Sequence, residues 1–216
     1  MFQTGGAESN QMAKAEAKAT FLQSLGVDGV RDFTVQNCLE RRRQALSAPL
    51  RSLKSLGIRS MVDVGSGEGF TARLIADEIG ALDLKCYDVT EPANNVQSEI
   101  AMVRDASEHI TLFDGVSLPE QSGAYELASA IYVLHHAGDN ALALLSDMAR
   151  VSQRWLLVAE DLHETPFQER NRLHDPNGYF LDRHGWLRVF DRLGLSLHDE
   201  GRLIADGPQH YFLLRK

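Results

Sequence analysis

From about residue 58 onward, apolar residues arrive in two rhythms. Short runs (SMVDV, LDLKCYDV, HITLFD, YELASAIYVL and WLLVAE) stand between longer stretches in which apolar positions recur every three or four residues. The longer stretches are FTARLIADEIG, a segment reaching about Arg104, and NALALLSDMARV. Short apolar runs read as strands covered on both faces, and the longer period as amphipathic helices packed against them. Their regular alternation predicts a doubly wound α/β sheet, mostly parallel.

The ends of the chain depart from this beat. After WLLVAE comes a polar excursion, DLHETPFQERNRLHDPNGYFLD, and then a helix expected near His184–Leu193. Two further candidate strands, LSLHDEGRL and HYFLLR, flank ADGPQ, where Gly207-Pro208 predicts a turn and antiparallel pairing at the sheet edge. Upstream, residues 1–10 read as disordered. Gln11–Leu25 and Val35–Leu56 read as helical, the second with a break at Pro49. The expected organisation is a helical preface over residues 1–57 and one α/β domain over residues 58–216.

Composition narrows the class only modestly. A chain of 216 residues with 44% hydrophobic and 24% charged residues suits one globular domain with a sizeable core. No apolar run approaches the roughly 18 residues of a membrane span. The opening MFQTGGAESNQ lacks the basic and apolar blocks of a secretory leader, so a cytoplasmic location is expected, away from membranes. Cys38 and Cys86 share no metal-ligand or redox spacing; they are expected to be reduced, buried thiols, and no metal site is expected. A net charge of −8 argues against a general grip on nucleic acid, and the one dense basic run, Arg41-Arg42-Arg43, reads as a solvated helix face.

The candidate chemistry begins at VDVGSGEG, residues 62–69, where the first strand meets the next helix. Glycines there permit positive φ and let a ligand approach the backbone with no Cβ in the way. Helix-start N–H groups favour a polar or anionic group. A dinucleotide site calls for G-x-G-x-x-G, but Phe70 holds the third glycine's place and Glu68 would repel a phosphate. S-adenosylmethionine carries no phosphate, and Asp63 lies close enough to help hold its amino-acid end. About twenty residues further on, Asp88 ends the second strand, where a carboxylate can accept both ribose hydroxyls or cap a helix instead. Asp114-Gly115, after the third strand, could meet an adenine amino group or simply make a turn.

Taken together, VDVGSGEG, YDV, LFDGVSLP, YELASAIYVLHHAGD and WLLVAED resemble the class I S-adenosylmethionine-dependent methyltransferases, in their small-molecule branch. The likeness spans about residues 58–160, with a looser echo in HGWLRVFDRLGL. It implies a Rossmann-like, mostly parallel seven-stranded sheet with an antiparallel last strand. It also implies that Asp63, Gly65, Gly67 and Gly69 hold the methionine end and Asp88 the ribose. Val89 would pack on the adenine, with Asp114 and Gly115 at its polar edge and Tyr132 beside the methionine portion. The N/D-P-P-Y signature of DNA and amide methylation is absent after the fourth strand.

The candidate bases follow strand ends, where an open α/β sheet binds its ligands. They are His135 and His136 after the fourth strand and His163 after the fifth, beside Glu160 and Asp161; an unperturbed imidazole titrates near pH ~6.5. The family's LHH also recurs as a structural turn. The excursion of residues 163–182, with Arg170, Arg172, His174, Tyr179 and Phe180, is the expected lid over the acceptor, and Phe21, Phe33 or Trp186 could line its other side. The expected activity is methyl transfer to oxygen or nitrogen of a small molecule by a monomer or homodimer. Methylation of RNA or protein, a non-methylating S-adenosylmethionine-binding protein or partner subunit, and a dinucleotide oxidoreductase are the competing readings.

Overall fold

A computed structural model describes residues 35–90 and 110–216. The expected helix at Gln11–Leu25, the pocket candidates Phe21 and Phe33, and most of the amphipathic stretch to Arg104 lie outside the described residues. Helices α1 (Val35–Ala45) and α2 (Ser47–Lys54) lead into strand β1 (Ser60–Val64). Helix α3 (Phe70–Ile79) and strands β2 (Asp83–Asp88), β3 (Ile110–Leu112) and β4 (Tyr125–Ile131) follow. Next come a 3-10 turn (Leu134–Asn140), helix α4 (Ala141–Val151) and strand β5 (Ser152–Asp161). The chain closes with helices α5 (Gln168–His174) and α6 (Arg183–Arg192) and strands β6 (Ser196–Arg202) and β7 (Gln209–Arg215).

The seven strands form one sheet in the order β3-β2-β1-β4-β5-β7-β6. The first five pair in parallel, while β7 runs antiparallel to both β5 and β6. The sheet is therefore the expected one, with β7 inserted so that β6 becomes the edge. Two apolar layers sandwich it. On one face, Leu144, Leu145 and Met148 of α4 and Trp186 and Phe190 of α6 meet Val62, Val64, Ala128, Leu156 and Phe212. On the other, Leu50 and Leu53 of α2 and Leu74 and Ile75 of α3 meet Met61, Leu127, Leu157 and Leu213. Burial on both faces is why the central runs lack the alternation of a half-exposed sheet.

Three boundaries differ from expectation. The helical break in the preface falls at Leu46, between α1 and α2, and Pro49 sits in the first turn of α2, where its missing N–H leaves no helical bond unmade. Strand β4 stops at Ile131, because Tyr132 takes a φ of 61° that no strand tolerates. The excursion after β5 carries a helix of its own, α5. Trp186 is no pocket wall: it is fully buried in the first layer, stacked on Phe190.

Candidate functional site

The parallel sheet brings the C-terminal ends of β1, β2, β4 and β5 to one rim, and the sequence's site residues gather there. Gly65, Gly67 and Gly69 all adopt positive φ, at 70°, 60° and 75°. Their surroundings differ. A Cβ on Gly65 would strike Val133 at 2.4 Å, so glycine is needed there to let the chain after β4 close over the turn. A Cβ on Gly67 would meet nothing within 4 Å, so the turn keeps an open face.

Two carboxylates flank that turn. Asp63, only 3% exposed, accepts a 2.5 Å hydrogen bond from Ser129, its register partner on β4. Burial pushes its carboxyl up to about 6, a rise that the Ser129 and Ser66 hydroxyls partly offset and the Asp88 charge reinforces. Asp88 binds the turn directly. Its Oδ2 accepts from the Gly67 N–H at 2.6 Å, while its Oδ1 accepts from the Thr90 N–H and hydroxyl, both at 2.9 Å.

Beyond β2, Val89 and Gly115 come together: a Cβ at Gly115, whose φ is 81°, would stand 3.0 Å from a Val89 methyl. Asp114 makes a turn. Its Oδ1 accepts from the Val116 and Ser117 N–H groups at 2.8 Å each, so its carboxylate is engaged with its own loop. Tyr132 is held by its N–H to the Ala159 carbonyl at 2.8 Å. Burial, with the Asp161 and Glu160 charges, raises its phenol above the usual tyrosine range. Helix α1 reaches the same rim, for Arg42 lies 5.2 Å over the Phe70 ring and donates to Thr71 at the start of α3.

The three candidate bases come from two loops, and Phe180 joins two of them. Its ring stacks 5.1 Å from His135 and 6.4 Å from His163. Glu160, fully buried, accepts the N–H groups of Val133 at 3.1 Å and Leu134 at 2.7 Å and pairs with the His135 ring. Burial opposes the charge on His135, but the Glu160 carboxylate outweighs it and raises the imidazole's pKa. A His135 ring already paired with Glu160 and only 4% exposed is poorly placed to take a proton from an acceptor. His136 pairs with Asp175 at 2.8 Å, and the Tyr179 N–H donates to the His135 carbonyl at 2.8 Å; these contacts dock the excursion on the 3-10 turn. His163 keeps a buried Nδ1 with no hydrogen-bond partner.

Sequence reading missed Ser129, Thr90, Val133 and Arg42. Ser129 alone left a trace, as a hydroxyl inside the apolar run ELASAI. Arg41, Arg42 and Arg43 are exposed, the solvated helix face expected, and within it Arg42 donates to Thr71 while Arg43 pairs with Glu78 and Glu40. Cys86 is a buried free thiol pushed up to about 12 by burial; for Cys38 the backbone alone is described. Among the described residues no cluster of metal-ligating side chains occurs, and no helix is long and apolar enough to cross a membrane.

No protein-family model and no curated protein sequence matches this chain. Solved structures do. A complex of the Haloferax volcanii Trm112 methyltransferase activator and a methyltransferase aligns at TM-score 0.61 and 11% identity, over 83% of this chain and 92% of the other. The [4+2]-cyclase SpnF aligns at TM-score 0.61 and 18% identity, over 80% of each chain. Magnesium protoporphyrin IX methyltransferase from Synechocystis PCC 6803, with S-adenosylhomocysteine bound, aligns at TM-score 0.56 and 14% identity, over 87% of this chain and 98% of the other. At such identities the likeness is one of fold. The fold is that of the class I S-adenosylmethionine-dependent methyltransferases.

Proposed function

We propose that the chain binds S-adenosylmethionine at the exit of β1 and transfers its methyl group to an oxygen or nitrogen of a small-molecule acceptor. The observation that carries this reading is the turn itself: three positive-φ glycines, an open face over Gly67, and a carboxylate on either side. The residues fit the group. A phosphate would meet Asp63, Asp88 and Glu68, whereas an ammonium and a ribose diol are donors that carboxylates accept. Val89, packed beside Gly115, offers an apolar side chain against which a flat base would lie.

When bound, the cofactor supplies a methyl group on a sulfonium, already a good leaving group. The protein's own part is then alignment of the acceptor and exclusion of water. In this reading Asp63 holds the amino-acid end and Asp88 the ribose hydroxyls, with Tyr132 beside the methionine portion and Val133 closing over Gly65. The excursion of residues 163–182, docked on the 3-10 turn through Asp175, Tyr179 and Phe180, is the cover assigned to the acceptor in this reading. For a hydroxyl acceptor a base is useful, and His163 and His136 are the candidates that Glu160 does not occupy.

Calorimetry with S-adenosylmethionine and S-adenosylhomocysteine tests the reading, with NAD as control. Micromolar binding of both sulfur compounds and none of NAD is the expected outcome; absence of both would sink it. Because a [4+2]-cyclase shares the fold, methyl transfer is assayed separately from binding, against a panel of phenols, acids and amines.

A further inference from the structure

The connection from β3 to β4 passes two strands, β2 and β1, yet residues 113–124 contain neither helix nor strand. A crossover between parallel strands is usually a helix, whose backbone bonds are internal; this loop must find its partners elsewhere. Helix α4 supplies them. Asp147 Oδ2 accepts the Leu118 N–H at 2.7 Å, and the Arg150 guanidinium donates to the Leu118 carbonyl at 2.9 Å and the Glu120 carbonyl at 2.6 Å. Asp147 also accepts from Arg150 Nε at 2.6 Å, so the two side chains hold each other. The main-chain carbonyl of Arg150 takes the Gly123 N–H at 2.9 Å. Leu118, 2% exposed, is thereby pinned in the first core layer. The Glu120 carboxylate adds a tie to the sheet, accepting from the Tyr87 hydroxyl of β2 at 2.5 Å and from that of Tyr125 of β4 at 3.2 Å.

The first residues of the same loop stand at the candidate cofactor site. The Phe113 N–H donates to the Asp88 carbonyl at 3.1 Å, and Gly115 comes against Val89. Asp114 Oδ1 holds the Val116 and Ser117 N–H groups, and Leu118 follows directly. Hydrogen bonds therefore run residue by residue from Asp88 through Asp114 to Leu118 and on into α4. A guanidinium suits the far end of that chain, because its donors lie in one rigid plane and hold two carbonyls at a fixed spacing. We propose that Arg150 and Asp147 are positioning residues for the base of the cofactor: through Leu118 they fix where Asp114-Gly115 stands against Val89. In this role neither side chain touches the cofactor. The role rests on the S-adenosylmethionine reading of the glycine turn, and it makes affinity for the adenosyl half depend on a helix outside the cleft.

Calorimetry of the wild type, Arg150→Gln, Arg150→Lys and Asp147→Asn tests this, with S-adenosylhomocysteine and methylthioadenosine as probes and circular dichroism to show each protein folded. Methylthioadenosine keeps the base and ribose but lacks the amino-acid end. Arg150→Gln and Asp147→Asn should weaken both probes by the same factor, about three- to thirty-fold, the range for residues that act on a ligand through others. Arg150→Lys should lose nearly as much, because an ammonium keeps the charge beside Asp147 but cannot fork onto two carbonyls. It is also the milder change, and it carries the test where glutamine prevents folding. A merely structural grip would lower Tm in all three variants and leave the affinities of the folded protein unmoved. Affinities within about two-fold of wild type therefore overturn the proposal. So does a loss for S-adenosylhomocysteine that methylthioadenosine does not share. A wild type that binds neither probe removes the cofactor reading, and this role with it; a wild type that binds both, with variants to match, removes the role alone.

Discussion

At the scale of single residues, Asp63 carries the sharpest physical signature. Its carboxyl, ordinarily near 3.8, is raised to about 6, so at neutral pH its buried charge lowers stability by about 3 kcal/mol relative to an unshifted carboxyl. The sign runs opposite to that of a salt-bridged aspartate. Between pH ~4 and ~6 the folded chain keeps a proton that the unfolded chain has lost, so stability falls as pH rises through that window and is flat above it. Asp63→Asn removes this slope. Denaturant unfolding at pH 4 and pH 7 should show the asparagine variant gaining on the wild type by up to about 3 kcal/mol, with S-adenosylhomocysteine binding weakened or lost. An equal stability difference at both pH values would mean that Asp63 is not the buried acid described here. Gly67 gives a complementary case. Because nothing lies within 4 Å of its missing Cβ, Gly67→Asp costs only the ~1–2 kcal/mol of a left-handed residue and leaves the chain folded. It should nonetheless abolish S-adenosylhomocysteine binding by filling the open face with a third carboxylate, as calorimetry on a sample of native circular dichroism would show.

At the scale of elements, the turn after β4 depends on a side chain from β5. Glu160 takes up N–H groups at the start of the 3-10 turn and holds the His135 ring, while Tyr179, Phe180 and Asp175 fasten the following excursion to the same turn. Glu160→Gln keeps the shape but loses the charge, and should cost about 1–3 kcal/mol. Its pH dependence identifies the cause. The His135 pKa is raised in the folded chain, so the stabilisation from this pair is complete below the ordinary histidine value near 6.5 and is lost as pH rises through the higher folded value. Unfolding curves of Glu160→Gln should lack that decline, and a variant with the wild-type profile would remove the ion pair from the account. The helices tell a related story. Leu50 and Leu53 place α2 in the second core layer, so this part of the N-terminal preface is one wall of the sheet sandwich.

At the scale of the molecule, the cofactor reading has a simple consequence. A ligand that binds only the folded chain stabilises it by about 2.7 kcal/mol at a hundred times its Kd. For a chain of this size that corresponds to about 5–10 °C in Tm. S-adenosylhomocysteine should produce this shift in the wild type, NAD should not, and Gly67→Asp should show none with either. A shift with NAD alone would reverse the choice of cofactor.

Much of this architecture was legible in the chain itself. Apolar runs separated by amphipathic stretches dictate a covered parallel sheet, because strands joined by helical crossovers are buried on both faces and cannot alternate. The glycine turn could likewise be read locally, since its conformation depends on residues adjacent in sequence. What sequence could not supply were the partners brought by strand order. Placing β4 beside β1 sets Ser129 under Asp63, although 66 residues separate them, and closes Val133 over Gly65. Pairing β5 with β4 puts Glu160 beneath a turn 25 residues earlier and makes His135 a partner in a buried ion pair. The packing of α5 on the exit of β5 ties the Asn171 amide to the Leu162 carbonyl. Local chemistry thus determined the elements and the glycine turn. Only the tertiary structure decided which carboxylates are buried and which histidine is engaged, because burial and hydrogen-bond satisfaction depend on neighbours distant in the chain.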